Sequence, residues 1–233
     1  MEILTIASGS SGNAYRVSDG KTQLLLDAGI PYKEIQKALD FRTRDLAGVL
    51  ITHEHGDHVK AAKDLAKAGI NIYASAGTIE AAGIEGHRIK PVRALREFTV
   101  GTFRILPFDV RHDAAEPLGF LLESTATKER LLYFTDTYYV KYRFPAVHYL
   151  MAECNYSRER LQDSVDAGYV PKELVPRLLK SHMSLEHFQD FLRANDTTQL
   201  RHVYLLHLSN NNADAQKFKE TVQRMTGTEV TVC

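Results

Sequence analysis

The sequence predicts an α+β protein built as a four-layer αβ/βα sandwich. Three observations carry this expectation: short strand-like runs open the chain, a second strand-rich stretch begins near residue 89, and segments with helical spacing follow each. The runs EILTIA, AYRVS and TQLLLDAG, bounded by Gly, Ser or Asp-Gly punctuation, predict a small opening sheet. PYKEIQKALD then has the spacing of a helix, AGVLI reads as a buried strand, VKAAKDLAKAG as the next helix and INIYAS as the strand after it. RIKPV, REFTVG, TFRILPFDV, LGFLLES and RLLYFTD predict the second sheet. Helices are expected in PKELVPRLLK, LEHFQDFLRAN and DAQKFKETVQRM, with strands in HVYLLHL and EVTVC. No short repeat, low-complexity tract or Pro/Gly/Ser-rich linker divides the chain, so residues 1–233 are expected to form a single domain.

Bulk composition narrows the function classes. The 233 residues are 44% hydrophobic and 25% charged, the profile of an ordinary globular chain that buries a sizeable core. Lys and Arg total 29 and Asp and Glu total 29, so no global field draws the protein to nucleic acid or to an anionic membrane, and phosphate binding must come from a local patch or from metals. Cys154 and Cys233 are too few for a disulfide framework and match a reducing compartment. With no signal-like start and no membrane-length apolar run, a cytoplasmic protein without membrane association is expected.

The most informative segment is THEHGDH, residues 52–58, directly after AGVLI. Alternation along an extended segment sends His53 and His55 to one side at adjacent heights, so they can close on one ion. Asp57 and His58 follow where the chain turns into a helix-forming run, which swings them to a second position. Two neighbouring metals suit the arrangement better than one. Neutral imidazole and carboxylate are ligands for zinc, iron or manganese, and no thiol points to a closed structural site. A helix cap at Asp57 is the plainer alternative, but capping needs one such residue and leaves three histidines without a role.

Two ions need further ligands, and three polar residues close strongly apolar runs: His112 after TFRILPFDV, Asp136 at the end of RLLYFTD and His207 at the end of HVYLLHL. The order HEHGDH, His112, Asp136 in FTDT and His207 in LLHLS resembles the metallo-β-lactamase-fold superfamily, nearly end to end. Within it, ASGSSGNAY, LLLDAG, HDAAEPLGF, the ECN triplet 153–155 and SHMSLEH resemble the YycJ-like (WalJ-like) branch. The resemblance implies His53, His55 and His112 at one metal, Asp57, His58 and His207 at the other, and Asp136 bridging. It implies a metal-dependent hydrolase with two divalent ions, zinc first and manganese, iron or nickel as alternatives. Exodeoxyribonuclease activity has been proposed for members of the branch, so DNA is the expected substrate and partner, cleaved by a metal-activated water.

Asp57 is the candidate to orient that water and shuttle its proton, and His182 to protonate the leaving group or bind phosphate. Against the second role, Ser181 and Ser184 would cap the helix LEHFQDFLRAN and leave His182 in solvent. Asp27 and Thr52 are expected to hold the metal loop by hydrogen bonds, and SGSSGN to form a hairpin turn rather than an anion cradle. Tyr138 and Tyr139 offer stacking surfaces, and Lys141, Arg143, Arg158 and Arg160 a local phosphate track. His87, His148, His187 and His202 have no partner pattern. The rival readings are hydrolysis of a small ester, thioester, lactone or cyclic phosphodiester, and a non-catalytic metal-stabilised binding module. The oligomeric state is left open, a homodimer being one way to supply grip on a substrate.

Overall fold

Residues 1–109 and 114–129 make the first of two units in the computed structural model, which describes residues 1–233. The Gly- and Ser-rich punctuation read from the sequence sets up a meander in which β1 (Glu2–Ala7) pairs antiparallel with β2 (Ala14–Ser18) and β2 with β3 (Gln23–Leu26). From there the sheet turns parallel. β3 pairs with β4 (Leu46–Leu50), β4 with β5 (Ile72–Ser75) and β5 with β6 (Ile89–Val92). Parallel pairing requires crossovers, and α1 (Tyr32–Ala38), then α2 (Gly56–Val59) with α3 (Ala62–Lys67), and α4 (Ala76–Ala82) supply them. Leu25, Val49, Ile51 and Ile72 pack with Ile35 and Leu65 of the helices in one buried cluster. β7 (Phe98–Val100), β8 (Phe103–Asp109) and β9 (Leu118–Ser124) form an antiparallel ribbon in the same unit.

The second unit comprises residues 110–113 and 130–233. Its strands β10 (Arg130–Phe134), β11 (Tyr149–Glu153), β12 (His202–Leu206) and β13 (Glu229–Val232) lie side by side in that order, all parallel. Between β11 and β12 come α5 (Arg158–Asp166), α6 (Val175–Ser181) and α7 (Leu185–Ala194), and α8 (Ala215–Thr226) precedes β13. Residues beyond the carboxyl ends of adjacent parallel strands come together, the location where open α/β sheets place ligands. Here Glu153 is the last residue of β11, and Asp136 and His207 lie just past β10 and β12. No helix is long and apolar enough to cross a membrane.

The elements differ from the sequence expectation in six places. RIKPV, expected in the second sheet, forms β6 and pairs parallel with β5 at the edge of the first sheet, because α4 returns the chain there by one more crossover. The helix expected over VKAAKDLAKAG is divided into α2 and α3, with Lys60 and Ala61 between them. PKELVPRLLK begins with a 3-10 turn before α6, whose early proline lacks the amide a preceding turn would use. Two helices carry signals too short to register as periodicity: α4, capped by Ser75 and ended by Gly83 at φ 58°, and α5, capped by Ser157. β11 was not expected at all, because YLMAE lacks β-branched residues and turn punctuation; it becomes a strand through pairing with β10 and β12 on either side.

Candidate metal centre

In the first unit the loop after β4 carries His53, His55, Asp57 and His58 as the sequence predicts, and buried partners hold it. Asp27, wholly buried just past β3, accepts from the Thr52 amide at 2.8 Å and from the Thr52 hydroxyl at 3.0 Å, and its Oδ2 lies 2.9 Å from His58 Nδ1. A proton on Nδ1 directed at that carboxylate leaves Nε2 of His58 as the electron-pair donor. His53 Nδ1 meets the Thr52 hydroxyl at 3.0 Å, and its Nε2 lies 3.1 Å from His55 Nδ1. Two nitrogens bound tetrahedrally to zinc at about 2.0–2.1 Å lie roughly 3.3 Å apart, so this imidazole pair has the spacing of ligands sharing an ion. Asp57 Oδ2 lies 3.6 Å from His58 Nε2, and the Asp57 side chain is partly exposed, as a carboxylate that meets solvent must be.

The SGSSGN turn does more than make a hairpin. Buried Asn13 accepts from the Gly9 amide at 3.0 Å, while its Nδ2 reaches the Asp57 carbonyl at 3.3 Å and lies 3.2 Å from His58 Nε2. Its backbone amide donates to the same carbonyl at 2.8 Å. The approach is so close that a Cβ on Gly29 would sit 1.6 Å from the Asp57 oxygen, which restricts position 29 to glycine. Sequence reasoning missed Asn13; the polar residue closing a Gly/Ser turn was the signal.

In the second unit His112, Asp136, His182 and His207 come together around Glu153. Asp136 Oδ2 lies 3.7 Å from His112 Nε2 and its Oδ1 lies 3.9 Å from His207 Nε2, so the two oxygens face different imidazoles. That division suits a carboxylate spanning two cations. His112 Nδ1 donates to the Ser181 carbonyl at 3.0 Å. Burial pushes the His112 imidazolium down against the pull of Asp136, Glu153 and Asp113, which favours the neutral, ligating form.

Glu153 is the hub of this half. Fully buried, it accepts from the amides of Thr137 and Met183 at 3.0 Å each, and its other oxygen lies 2.6 Å from His182 Nδ1 and 3.3 Å from His207 Nδ1. Burial pushes this carboxyl up, but His182 and His207 outweigh burial and hold it below the usual range. Asn155 completes the clasp, its Nδ2 reaching the His207 carbonyl at 2.7 Å. Thus the ECN triplet supplies the residues that orient His207, a role the sequence reading did not assign.

His182 is not in solvent as the capping alternative required. Its ring stacks on His207 with centroids 5.4 Å apart and meets His112 edge-on at 5.8 Å. Burial alone would push its imidazolium down, but the Glu153 carboxylate outweighs that and raises it. Ser184 does cap α7, accepting from the His187 amide at 3.1 Å, whereas Ser181 donates to Asp113 at 3.2 Å and holds His112 through its carbonyl. His148 and His202 serve structure, taking the Arg130 amide at 3.1 Å and the Thr231 hydroxyl at 2.7 Å.

Left-handed backbone marks the same residues. Asp27, Asp136 and His207 have φ of 55°, 44° and 53°, conformations that cost energy for residues other than glycine and persist where the surroundings over-determine them. The donor set therefore fits divalent metal in chemistry: neutral imidazoles and carboxylates, with second nitrogens engaged by carboxylate, hydroxyl or carbonyl groups.

Comparison with known proteins agrees. The chain matches the family described as beta-lactamase superfamily domain over residues 22–208 and belongs to that superfamily. It is 32% identical to Exodeoxyribonuclease YycJ of Bacillus anthracis over 225 residues, 89% of this chain and 82% of the relative. It is 31% identical to Exodeoxyribonuclease WalJ of Streptococcus pneumoniae over 223 residues, 89% and 81% of the two chains. Its structure resembles the metallo-β-lactamase-fold protein YhfI of Bacillus subtilis with a TM-score of 0.74 at 18% identity, covering 99% of this chain and 95% of that one. Human tRNase Z, short form, superposes with a TM-score of 0.67 at 14% identity over 100% and 95% of the chains. The expected α+β class and metallo-β-lactamase fold are borne out, and the protein is a hydrolase of a fold that implies divalent metal ions.

Proposed function

We propose that residues 1–233 form one metallo-β-lactamase-fold domain acting as a binuclear phosphodiesterase, an exonuclease on DNA. His53, His55, Asp57, His58, His112, Asp136 and His207 are the proposed ligands, with zinc the first choice of metal and manganese, iron or nickel as alternatives. The observation that carries the substrate is the identity of 31–32% over 89% of the chain to two proteins named exodeoxyribonucleases. Bound divalent ions would lower the pKa of water and offset charge on phosphate oxygens. Asp57 accepts the proton of the attacking water. His182, its Nδ1–H fixed by Glu153, gives the proton on Nε2 to the departing oxygen, and the Glu153 carboxylate, which raises the imidazolium against burial, favours its holding that proton.

The test is to incubate metal-loaded protein and Asp57→Ala with end-labelled single- and double-stranded DNA and RNA, bis(p-nitrophenyl) phosphate and a thioester. DNA shortened from an end, with a loss of about 10²–10⁴-fold in Asp57→Ala, is the expected result. Turnover of the small esters alone sinks the nuclease reading and leaves the hydrolase. His182→Ala retains its metal by mass spectrometry and loses about 10²-fold or more in turnover; unchanged turnover removes it from the mechanism.

A further inference from the structure

Directly after Asp136, residues 138–143 run without regular secondary structure and, with α7, enclose a cavity of about 510 Å³. Its lining is aromatic and cationic on one side, with Tyr138, Tyr139, Lys141, Tyr142 and Arg143. Met183, which follows His182, lines the other side together with α7 residues, so the cavity lies beside the hub of the second half-site. The segment is held at both ends. Thr137, whose amide is bound by Glu153, donates its hydroxyl to the Tyr139 carbonyl at 3.0 Å, and Asn195 at the end of α7 accepts from the Phe144 amide at 2.9 Å. Tyr139 is 53% exposed despite this anchorage. Lys141 lies 4.9 Å over the Tyr142 ring. The acidic lining residue Asp190 is offset by Arg193 at 2.8 Å. His187, also in the lining, has a buried Nδ1 with no hydrogen-bond partner.

A preformed strap of aromatic faces with interleaved cations matches the chemistry of single-stranded nucleic acid, in which bases stack on rings and phosphates follow the cations. A cavity of about 510 Å³ spans roughly 8 Å in each direction, and a B-form duplex, whose major groove alone is about 12 Å wide, is broader than that, so a duplex does not enter it. We propose that this groove seats the terminal nucleotides of single-stranded DNA, with bases on Tyr139 and Tyr142 and backbone phosphates on Lys141 and Arg143. The proposal rests on the nuclease reading, and it makes a frayed or single-stranded end the preferred substrate.

The experiment compares the wild-type protein with Tyr139→Ala and with Lys141→Ala/Arg143→Ala, all metal-loaded, after circular dichroism and melting confirm folding. Fluorescence anisotropy measures binding of a labelled 12-mer of thymidylate across salt concentrations, and kcat/KM is determined for the 12-mer and for bis(p-nitrophenyl) phosphate. Tyr139→Ala is expected to weaken 12-mer binding roughly 5- to 100-fold, the range for loss of one stacked base. The double variant is expected to reduce the salt slope by about 1.4, two phosphate contacts at about 0.7 each. In both, the ratio of 12-mer to small-ester kcat/KM falls at least about fivefold; a general structural lesion lowers both rates and leaves the ratio alone. An unchanged ratio and unchanged binding, with wild-type DNA cleavage intact, overturn the groove and spare the nuclease. Wild-type turnover of the small ester without DNA binding or cleavage overturns both.

Discussion

The proposed ligand sets of the two units are built on opposite plans. In the first unit the proposed ligands come from residues 53–58, one loop after one strand; in the second they come from positions 112, 136 and 207. Each half nevertheless contains one buried carboxylate that orients imidazoles without being a proposed ligand. Asp27 engages a single imidazole, His58, with the amide and hydroxyl of Thr52. Glu153 engages His182 and His207 and also the amides of Thr137 and Met183. A contiguous ligand loop is fixed largely by its own short path and needs one buried carboxylate, beside the Asn13 contacts to the Asp57 carbonyl. Scattered ligands need a hub that ties segments together, so the hub carries stability as well as orientation.

The largest expected effect follows from that difference. Glu153→Ala leaves two imidazoles and two amides in a buried pocket without their acceptor, a loss of the kind that costs about 3–5 kcal/mol when one partner of a buried charged pair is removed. For a chain of this size the melting temperature is expected to fall by roughly 10 °C, measured by calorimetry on the metal-free protein. Asp27→Ala measured in parallel should cost less. If it costs more, the contrast between hub and brace is wrong.

How much of this was readable before folding divides along the same line. THEHGDH announces its chemistry because all the donors lie within one turn of chain, and His112, Asp136 and His207 were found because each closes an apolar run. Glu153 was noticed only as part of the ECN triplet, since its role depends on β11, a strand whose residues YLMAE favour helix as readily and which pairing alone makes extended. Asn13 lay in a turn that reads as ordinary punctuation, and its contacts to Asp57 and His58 span more than forty residues. His182 shows the limit in the other direction: its sequence neighbours include a true helix cap, Ser184, and only the position of Glu153 decides that the imidazole is engaged rather than solvated.

A smaller effect is expected when the brace of the contiguous half is altered without being removed. Asp27→Asn keeps one carbonyl oxygen for the Thr52 amide but turns an NH₂ group toward donors, so His58 loses the acceptor that fixes its Nδ1 proton. Outer partners of this sort are worth about 10–100-fold in metal affinity. A chelator competition titration should show that weakening, with a stability cost of about 1–3 kcal/mol. Unchanged affinity would mean that the short loop positions His58 unaided.

The smallest effect comes from a third carboxylate, which has no imidazole to orient and so separates bracing from ligation. Asp19, in the β2–β3 turn, accepts from the Lys21 and Thr22 amides at 3.0 and 2.9 Å and from the Thr102 and Ser124 hydroxyls at 2.5 and 2.6 Å. Burial pushes its carboxyl up, but these four hydrogen bonds outweigh burial and bring it from 3.8 down to about 2. Because the folded value lies below the unfolded one, the contribution is fully present above about pH 4 and is lost as the pH falls toward about 2. Asp19→Asn should flatten that part of the stability profile in urea titrations between pH 2 and 7, at a neutral-pH cost of about 1–2 kcal/mol. Metal affinity should stay at the wild-type value. If it falls as far as in Asp27→Asn, buried carboxylates in this unit act on the metal loop through general rigidity, and the orientation of His58 by Asp27 is not what sets affinity.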